Sequence, residues 1–496
     1  MDRRSRFSIH LALRWLSLSL LLAAAILIAL KYREYKNLQM VSPPGSTLGG
    51  IPVGGIDLQQ GMERLQEAYG TPVALLYGES TIYLIPSQAG FDLDTEAMLA
   101  EAGRAGQFRP GLPGFLDYLF ERRPAPFDVP LQGSVSPDRL RAYLVEEIAS
   151  RYDRPPDPAL PYPGTVHFSP GTEGLILDVE RATPLVEAAL LSTGERRVPL
   201  PVLTIAPPGP SFENLEILLQ QTLQLSGFDG TAALYLLDLQ SNREAYFAYR
   251  EGEALPVSPD VAFTGASIIK IPIMISVFRR LGGNPDPETD RLLQAMIAES
   301  GNESADWVME RVIDPETAPL EVTNDMRSLG LENTFLAGFF HLGAPLLDVY
   351  ETPANRRADS GIDPDVYNQT TPAEIGRLLA EIYTCSRSGS GRLVEAFPGE
   401  ITQAECQAML AYLAGNKTPY LIEAGVPEEV EVIHKHGWVS LFGIINTIGD
   451  AALVSSPGGD YVLVVYLYHR ELLLWDPASA LVSLLSQAVF NYFNFQ

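Results

Sequence analysis

Three short clusters hold the residues that could do chemistry together. The first is Ser267-Ile268-Ile269-Lys270, followed by an apolar run over 271–281. On a helix, positions i and i+3 share a face, so the hydroxyl and the amine would lie side by side. A serine hydroxyl is a weak nucleophile until a base accepts its proton. A lysine serves as that base if burial and positive neighbours lower its pKa. The helix N-terminus supplies free N–H groups and a favourable dipole for negative charge developing on an attacked carbonyl. The second cluster is Ser300-Gly301-Asn302, and the third is Lys435-His436-Gly437 at the end of a strand-like run from 430. Each pattern alone arises by chance on the order of a few tenths of a time in such a chain. The lysine census adds weight. The chain has only five lysines, and Lys31 and Lys36 flank an apolar N-terminal run. Of the other three, Lys270 and Lys435 fall in the clusters and Lys417 does not. Ile268, Ile269, Ile271 and Ile273 around Lys270 suit a buried amine better than a surface one.

The elements that must position these clusters can be read from periodicity. A helix is expected at Phe212–Leu225 and strands at 231–239 and 245–249, with a long helical region next. Strands return at 430–434, 444–455 and 461–468, and an amphipathic helix closes the chain at 477–492. Strands at both ends with helices between predict an α+β domain over 212–496. Its antiparallel sheet would join distant segments, with the first and last helices on one face.

In this order and domain size, S-x-x-K, S-x-N and K-x-G resemble class A β-lactamases and their penicillin-binding relatives. Asn368-Gln369-Thr370-Thr371-Pro372 and Gly449-Asp450 with the strand after it also match that family. The resemblance implies a β-lactamase/transpeptidase-like fold, an antiparallel sheet plus a helical subdomain. It implies that Ser267 is acylated, that Lys270 is the base in acylation and that Ser300 relays a proton to the leaving nitrogen. Asn302 would bind the substrate amide, and Lys435 would attract the substrate carboxylate and support Ser300. His436, Gly437 and Trp438 on the same strand would also bind substrate. The N–H groups of Ser267 and Trp438 would form the oxyanion hole. The substrate would be a β-lactam or a peptidoglycan-type peptide. Hydrolysis of β-lactams is the leading expectation. The alternatives are a cell-wall D-Ala-D-Ala peptidase or transpeptidase and a non-hydrolytic wall-binding protein.

The sequence departs from the family at four places. Gly301 replaces the usual Asp. His436 replaces Thr or Ser, and it either donates the same hydrogen bond or points away. Glu351 with Asn355 has the internal spacing of the deacylating pair, so Glu351 is a candidate catalytic base. The stretch from Gly330 to Thr371 is longer than the family's loop, however, and Glu351 aligns from neither flank. It is either that base or an ordinary loop carboxylate. Gln369 replaces the aspartate that usually anchors the loop by an ion pair.

Ahead of this domain, residues 1–36 carry Arg3, Arg4 and Arg6, then an apolar run over 11–30, then Lys31 and Arg33. Twenty such residues span a bilayer as a helix. No small-x-small cleavage site follows, so a signal anchor is expected, with a cleaved signal peptide as the alternative. The basic end would stay in the cytoplasm and the rest would lie outside. There Cys385 and Cys406 either form a disulfide, worth about 3 kcal/mol, or remain two buried thiols. Residues 47–205 contain an echo. Gly90-Phe91-Asp92-Leu93-Asp94 and Gly174-Leu175-Ile176-Leu177-Asp178 each precede a helix-like segment, with Asp94 and Asp178 as expected N-caps. The region is expected to be a smaller α+β module of two repeats. With Ile51-Pro52-Val53-Gly54-Gly55-Ile56-Asp57, it resembles the peptidoglycan-binding module often found ahead of cell-wall enzymes. A spacer is the alternative. Residues 206–211 read as a Pro-rich linker.

The net charge of −26 excludes nucleic acid as an expected partner. Neither the six histidines nor the two cysteines have metal-type spacing, so no metal or other cofactor is expected.

Overall fold

The computed structural model describes residues 4–106, 108–258, 260–416, 419–441 and 444–495, without the side chains of 4–10 and 441. Arg3 and Lys417 lie outside the described residues. Two compact units emerge: Met1–Asp157 with Glu173–Ala206, and Pro158–Thr172 with Pro207–Gln496.

The first unit begins with helix α1, Arg4–Leu38. Among the described residues this is one helix long and apolar enough to cross a membrane. An eight-residue helix, α2 (Leu112–Leu119), belongs to the same unit. The rest is α+β around two small cores. One gathers Leu48, Leu65, Met98 and Val129, the other Leu75, Leu144, Val186 and Val198. Asp94 caps Thr95–Ala105 by accepting from the Ala97 N–H, and Asp178 caps Val179–Leu190 by accepting from the Arg181 N–H. Both helices therefore start where a carboxylate satisfies an orphan donor. The expected 47–205 module is too long at one point. Residues 158–172, including the run before Pro170, belong to the second unit, where Ala159, Val166 and Phe168 are buried beside Phe212. Apolar side chains settle this boundary, and they are invisible to a reading of turns and prolines.

The second unit is built on a six-stranded antiparallel sheet. Helix α3 (Phe212–Leu225) precedes β1 (Thr231–Asp238), β2 (Glu244–Arg250) and β3 (Glu253–Leu255). Helix α4 (Lys270–Leu281) follows a 3-10 turn, Ala266–Ile269. Helices α5 (Asn302–Val312) and α6 (Pro372–Ser388) belong to the helical part. The chain returns through β4 (Glu431–Leu441), β5 (Ile444–Ser456), β6 (Gly459–Tyr468) and helix α7 (Trp475–Phe493). The strand order is β3-β2-β1-β6-β5-β4, so β1 pairs with β6 from more than 200 residues away.

Alternation along β1 decides what each face meets. Leu234 and Leu236 join Leu215, Leu219, Leu481 and Leu485 of α3 and α7 on one face. Ala233, Tyr235 and Leu237 join Ile375, Leu379 and the α4 isoleucines on the other. Each such side chain, fully buried, contributes roughly 1.5–3 kcal/mol before entropy is counted. Both faces are covered, which is why β1 and β6 read as nearly continuous apolar runs. Cys385 and Cys406 are bonded to each other, tying α6 to the helix Gln403–Ala414.

Candidate active site

Residues from three segments meet at the end of α4. Ser267 lies in the 3-10 turn and is half-buried, while Lys270 is fully buried one turn on. The Lys270 amine donates to Ser267 Oγ at 3.0 Å, to the Ser300 carbonyl at 2.6 Å and to Asn302 Oδ1 at 2.9 Å. Burial, and then the positive charge of Lys435, push the Lys270 pKa down to about 7. A substantial share of these amines is therefore neutral near pH 7 and can accept the serine proton.

Lys435 reaches the same place from β4. Its amine donates to Ser300 Oγ at 3.0 Å and to the His436 carbonyl at 3.1 Å. Burial lowers its pKa to about 8, against the opposing pull of Asp450. Ser300 therefore stands between two lysines, its carbonyl on one and its hydroxyl on the other. It adopts φ +58°, and Ala266 just before the nucleophile adopts φ +47°. Strained backbone at two non-glycine residues is a mark of sites held in place by their surroundings.

Glycines let the strand come this close. A Cβ at Gly437 would lie 2.6 Å from the Ser267 nitrogen and 3.2 Å from that of Ile268. Its cross-strand partner Gly449 would place a Cβ 2.9 Å from Ile268 Cδ1 and 2.5 Å from the Tyr466 ring. The nucleophile turn therefore sits directly on the β4–β5 ladder, with the N–H of Ser267 beside the strand that carries Trp438. Gly301 has a similar explanation. A Cβ there would come within 2.5 Å of Ser304 Oγ, whose hydroxyl donates to the Gly301 carbonyl.

His436 is buried and does not point into open solvent. It lies 3.2 Å from Asn416 Nδ2 through Nδ1, and its ring stacks on Trp438 with centroids 5.2 Å apart. Burial, then Lys435, hold its pKa near 4, so the ring is neutral. Next to it, His434 Nδ1 meets Asp450 at 2.9 Å, both fully buried. Burial disfavours His434's charge, but the Asp450 carboxylate outweighs it and raises the pKa; the His434 ring in turn holds the Asp450 pKa low against its own burial. Trp438 itself is part-exposed beside Trp475.

The structure separates Glu351 from this group. Its side chain is 69% exposed and pairs with Arg356 at 2.5 Å. No contact with Ser267 or Lys270 is found for it among the described residues. Asn355 turns the other way. It accepts from the Thr352 N–H and donates to the Tyr350 carbonyl and, at 3.0 Å, to Gln369 Oε1. A neutral amide pair thus ties the loop to Gln369, in place of the ion pair that the sequence lacks. The internal spacing of Glu351 and Asn355 belongs to a surface turn.

What covers Lys270 is Phe340, its ring centroid 5.5 Å from Nζ. Asp306 fixes that segment by accepting from the N–H groups of Phe340 and His341, each at 2.8 Å. Burial raises the Asp306 pKa despite these donors. Asp306, Phe340 and Asn416 were not visible as site residues in the sequence. The one available signal was that Asp306 follows Asn302 by four residues, on the same helix face. No group of three or more metal-ligating side chains that could hold an ion is found among the described residues.

Residues 286–493 match the model of a family described as the beta-lactamase enzyme family. The match spans less than half of the chain and takes in Ser300, Asn302 and Lys435, but begins after Lys270. No curated protein matches the sequence. Among solved structures, the chain is similar to a mutant of the last common ancestor of Gram-negative bacteria class A beta-lactamase. There the identity is 22%, over 57% of this chain and 99% of that one, with a TM-score of 0.41. It is also similar to PBP-A, at 21% identity over 58% and 99%, TM-score 0.40. A beta lactamase from Xanthomonas campestris pv. campestris gives 19% over 56% and 98%, TM-score 0.40.

Proposed function

We propose that residues 212–496 form a β-lactamase-like serine hydrolase that is acylated on Ser267. The observation that carries this is the pair of short contacts from two buried, pKa-lowered lysines, Lys270 to Ser267 Oγ and Lys435 to Ser300 Oγ, each 3.0 Å. Neutral Lys270 takes the Ser267 proton as Oγ attacks the carbonyl carbon. The N–H groups of Ser267 and Trp438 stabilise the oxyanion. Collapse breaks the C–N bond, the leaving nitrogen takes the Ser300 Oγ proton, and the proton that Lys270 took from Ser267 restores the Ser300 hydroxyl, so both lysines end as they began. Lys435 holds the substrate carboxylate, Asn302 its amide, and His436 supports Trp438 from below. The substrate class is β-lactams.

A second reading is favoured by one observation. Glu351, the candidate water-activating carboxylate, pairs with Arg356 at the surface, while the Phe340 ring lies 5.5 Å from the Lys270 amine. Deacylation without such a carboxylate is slow. That suits a D-Ala-D-Ala peptidase or transpeptidase, or a penicillin target, better than a fast β-lactamase.

Mass spectrometry after penicillin exposure tests both readings. The first expects a transient adduct on Ser267 and turnover of a chromogenic cephalosporin, both lost in Ser267→Ala. The second expects a durable adduct with little turnover. No adduct at all would refute both and leave a non-hydrolytic wall-binding role.

We place the domain outside the cell membrane, held by α1 as a single-pass anchor. The apolar helix and the Cys385–Cys406 disulfide, a bond of oxidising compartments, support this. Residues 47–157 and 173–205 are assigned to peptidoglycan contact or to spacing the enzyme from the membrane. Carbonate-resistant sedimentation of the full chain with membranes tests the anchor.

A further inference from the structure

The geometry points to α2 as a membrane-interface helix that rests its outer face on the same bilayer α1 crosses; this rests on the anchor reading. The apolar run of α1 ends at Leu30, and the helix continues to Leu38. At helical rise, Tyr32 stands about 3 Å and Tyr35 about 8 Å beyond that end. The polar headgroup layer is roughly 5–8 Å deep on each side of a bilayer, so both tyrosines lie within it or at its outer edge. Helix α2 is docked at this height. Phe115 packs on Tyr32 and Tyr35 with ring centroids 5.2 and 5.5 Å apart, and Tyr118 on Tyr35 at 5.8 Å. Tyr118 also donates to Glu34 at 2.6 Å. The approach is tight enough to require Gly114, where a Cβ would lie 2.6 Å from the Tyr35 hydroxyl.

With Phe115 and Tyr118 committed to α1, the other face of α2 is exposed. Leu112, Leu116 and Leu119, at spacings of four and three, lie along it, and Phe120 ends it. Leu112 is 69% and Phe120 72% exposed. Four large apolar side chains side by side on a chain this acidic need a partner. The bilayer is the partner at that height, because α1 already fixes it there. The flanking charges agree. Arg109, Arg122 and Arg123 bracket the helix; Arg109 and Arg122 lie 3.7 and 3.8 Å from Asp117 but stay 78% exposed, so all three can reach lipid phosphates. Aromatic and arginine side chains around an apolar face are the composition of an interfacial helix.

The test uses the full chain in vesicles of phosphatidylethanolamine and phosphatidylglycerol. Cys385 and Cys406 are paired and no other cysteine exists, so a single introduced cysteine takes a fluorophore cleanly. Leu116→Cys and Phe120→Cys report on α2, and Leu20→Cys on α1. Quenching by lipids spin-labelled near the headgroup is expected to exceed quenching by deep-labelled lipids at 116 and 120, with the reverse at 20. Quenching at 20 with none at 116 and 120 would overturn the proposal while leaving the anchor intact. A label at 116 shielded from water but untouched by lipid quenchers would point to a protein partner and also overturn it. No quenching at any of the three would refute the anchor and the interfacial helix together.

Discussion

Replacing Gly437 by alanine should separate the nucleophile's alignment from the fold's stability. The added Cβ would sit 2.6 Å from the Ser267 nitrogen and 3.1 Å from Ala266 Cβ. The first contact is about 1 Å inside ordinary van der Waals separation, and both atoms are held by backbone rather than by a flexible side chain. Either β4 or the 3-10 turn must move. Over-packing of this kind costs about 1–3 kcal/mol of stability. At about 2–4 °C per kcal/mol for a domain of this size, Tm should fall by about 2–12 °C. The larger effect is kinetic. The displaced group, the Ser267 N–H, is the proposed oxyanion donor on the residue that carries the attacking hydroxyl, and a 1 Å misplacement costs about 100-fold in rate, or about 2.7 kcal/mol. Gly449→Ala is the matched control, because its Cβ meets the Tyr466 ring and Ile268 Cδ1, not the oxyanion nitrogen. Stopped-flow acylation by a chromogenic cephalosporin gives the rate and calorimetry gives Tm. Gly437→Ala should lose about 100-fold in acylation, and Gly449→Ala clearly less at a similar cost in Tm. Wild-type acylation by folded Gly437→Ala would refute the proposed contact between the strand and the oxyanion donor.

The remaining predictions concern protonation and the loop. Acylation requires neutral Lys270 and charged Lys435, so its rate should rise with pH through about 7 and fall through about 8. In Lys435→Met the alkaline limb should vanish and the acid limb move to higher pH, because a positive charge that lowers Lys270 is gone; an acid limb that stays in place would contradict the coupling. Asp306→Ala leaves two N–H groups without their acceptor, costing about 1–3 kcal/mol in chemical denaturation. It also removes a negative charge that raises the Lys270 pKa, so the acid limb should shift to lower pH. Glu351→Gln should leave the adduct lifetime within about twofold, because an exposed ion pair contributes little; a tenfold longer lifetime would restore Glu351 as the deacylating base.

Much of the catalytic domain is legible in the sequence. Local rules are strong there: S-x-x-K on a helix start, alternation in strands, and apolar runs where both sheet faces are covered. The N-caps Asp94 and Asp178 were legible for the same reason, since capping depends on a few consecutive residues. What the sequence left open or placed differently was decided by long-range packing. Residues 158–172 leave the first unit because Phe168 and Val166 find a core next to Phe212, a choice that depends on a helix more than forty residues later. Glu351 and Asn355 kept the spacing of a catalytic pair, but the turn they occupy sends one outward and the other to Gln369.

The sequence by itself determined which groups could react. Lys270 and Lys435 stand out in a lysine-poor chain, and Ser267 with Lys270 shares a helix face whatever the surroundings. Only the tertiary structure decided what those groups are worth. Lys270 is a usable base because burial and Lys435, brought from 165 positions away, make its charged form costly. Phe340 rather than Glu351 lies over that amine because Asp306 pins the loop's backbone. Chemical identity is a property of the residue, whereas pKa, access and alignment belong to the neighbours that folding supplies.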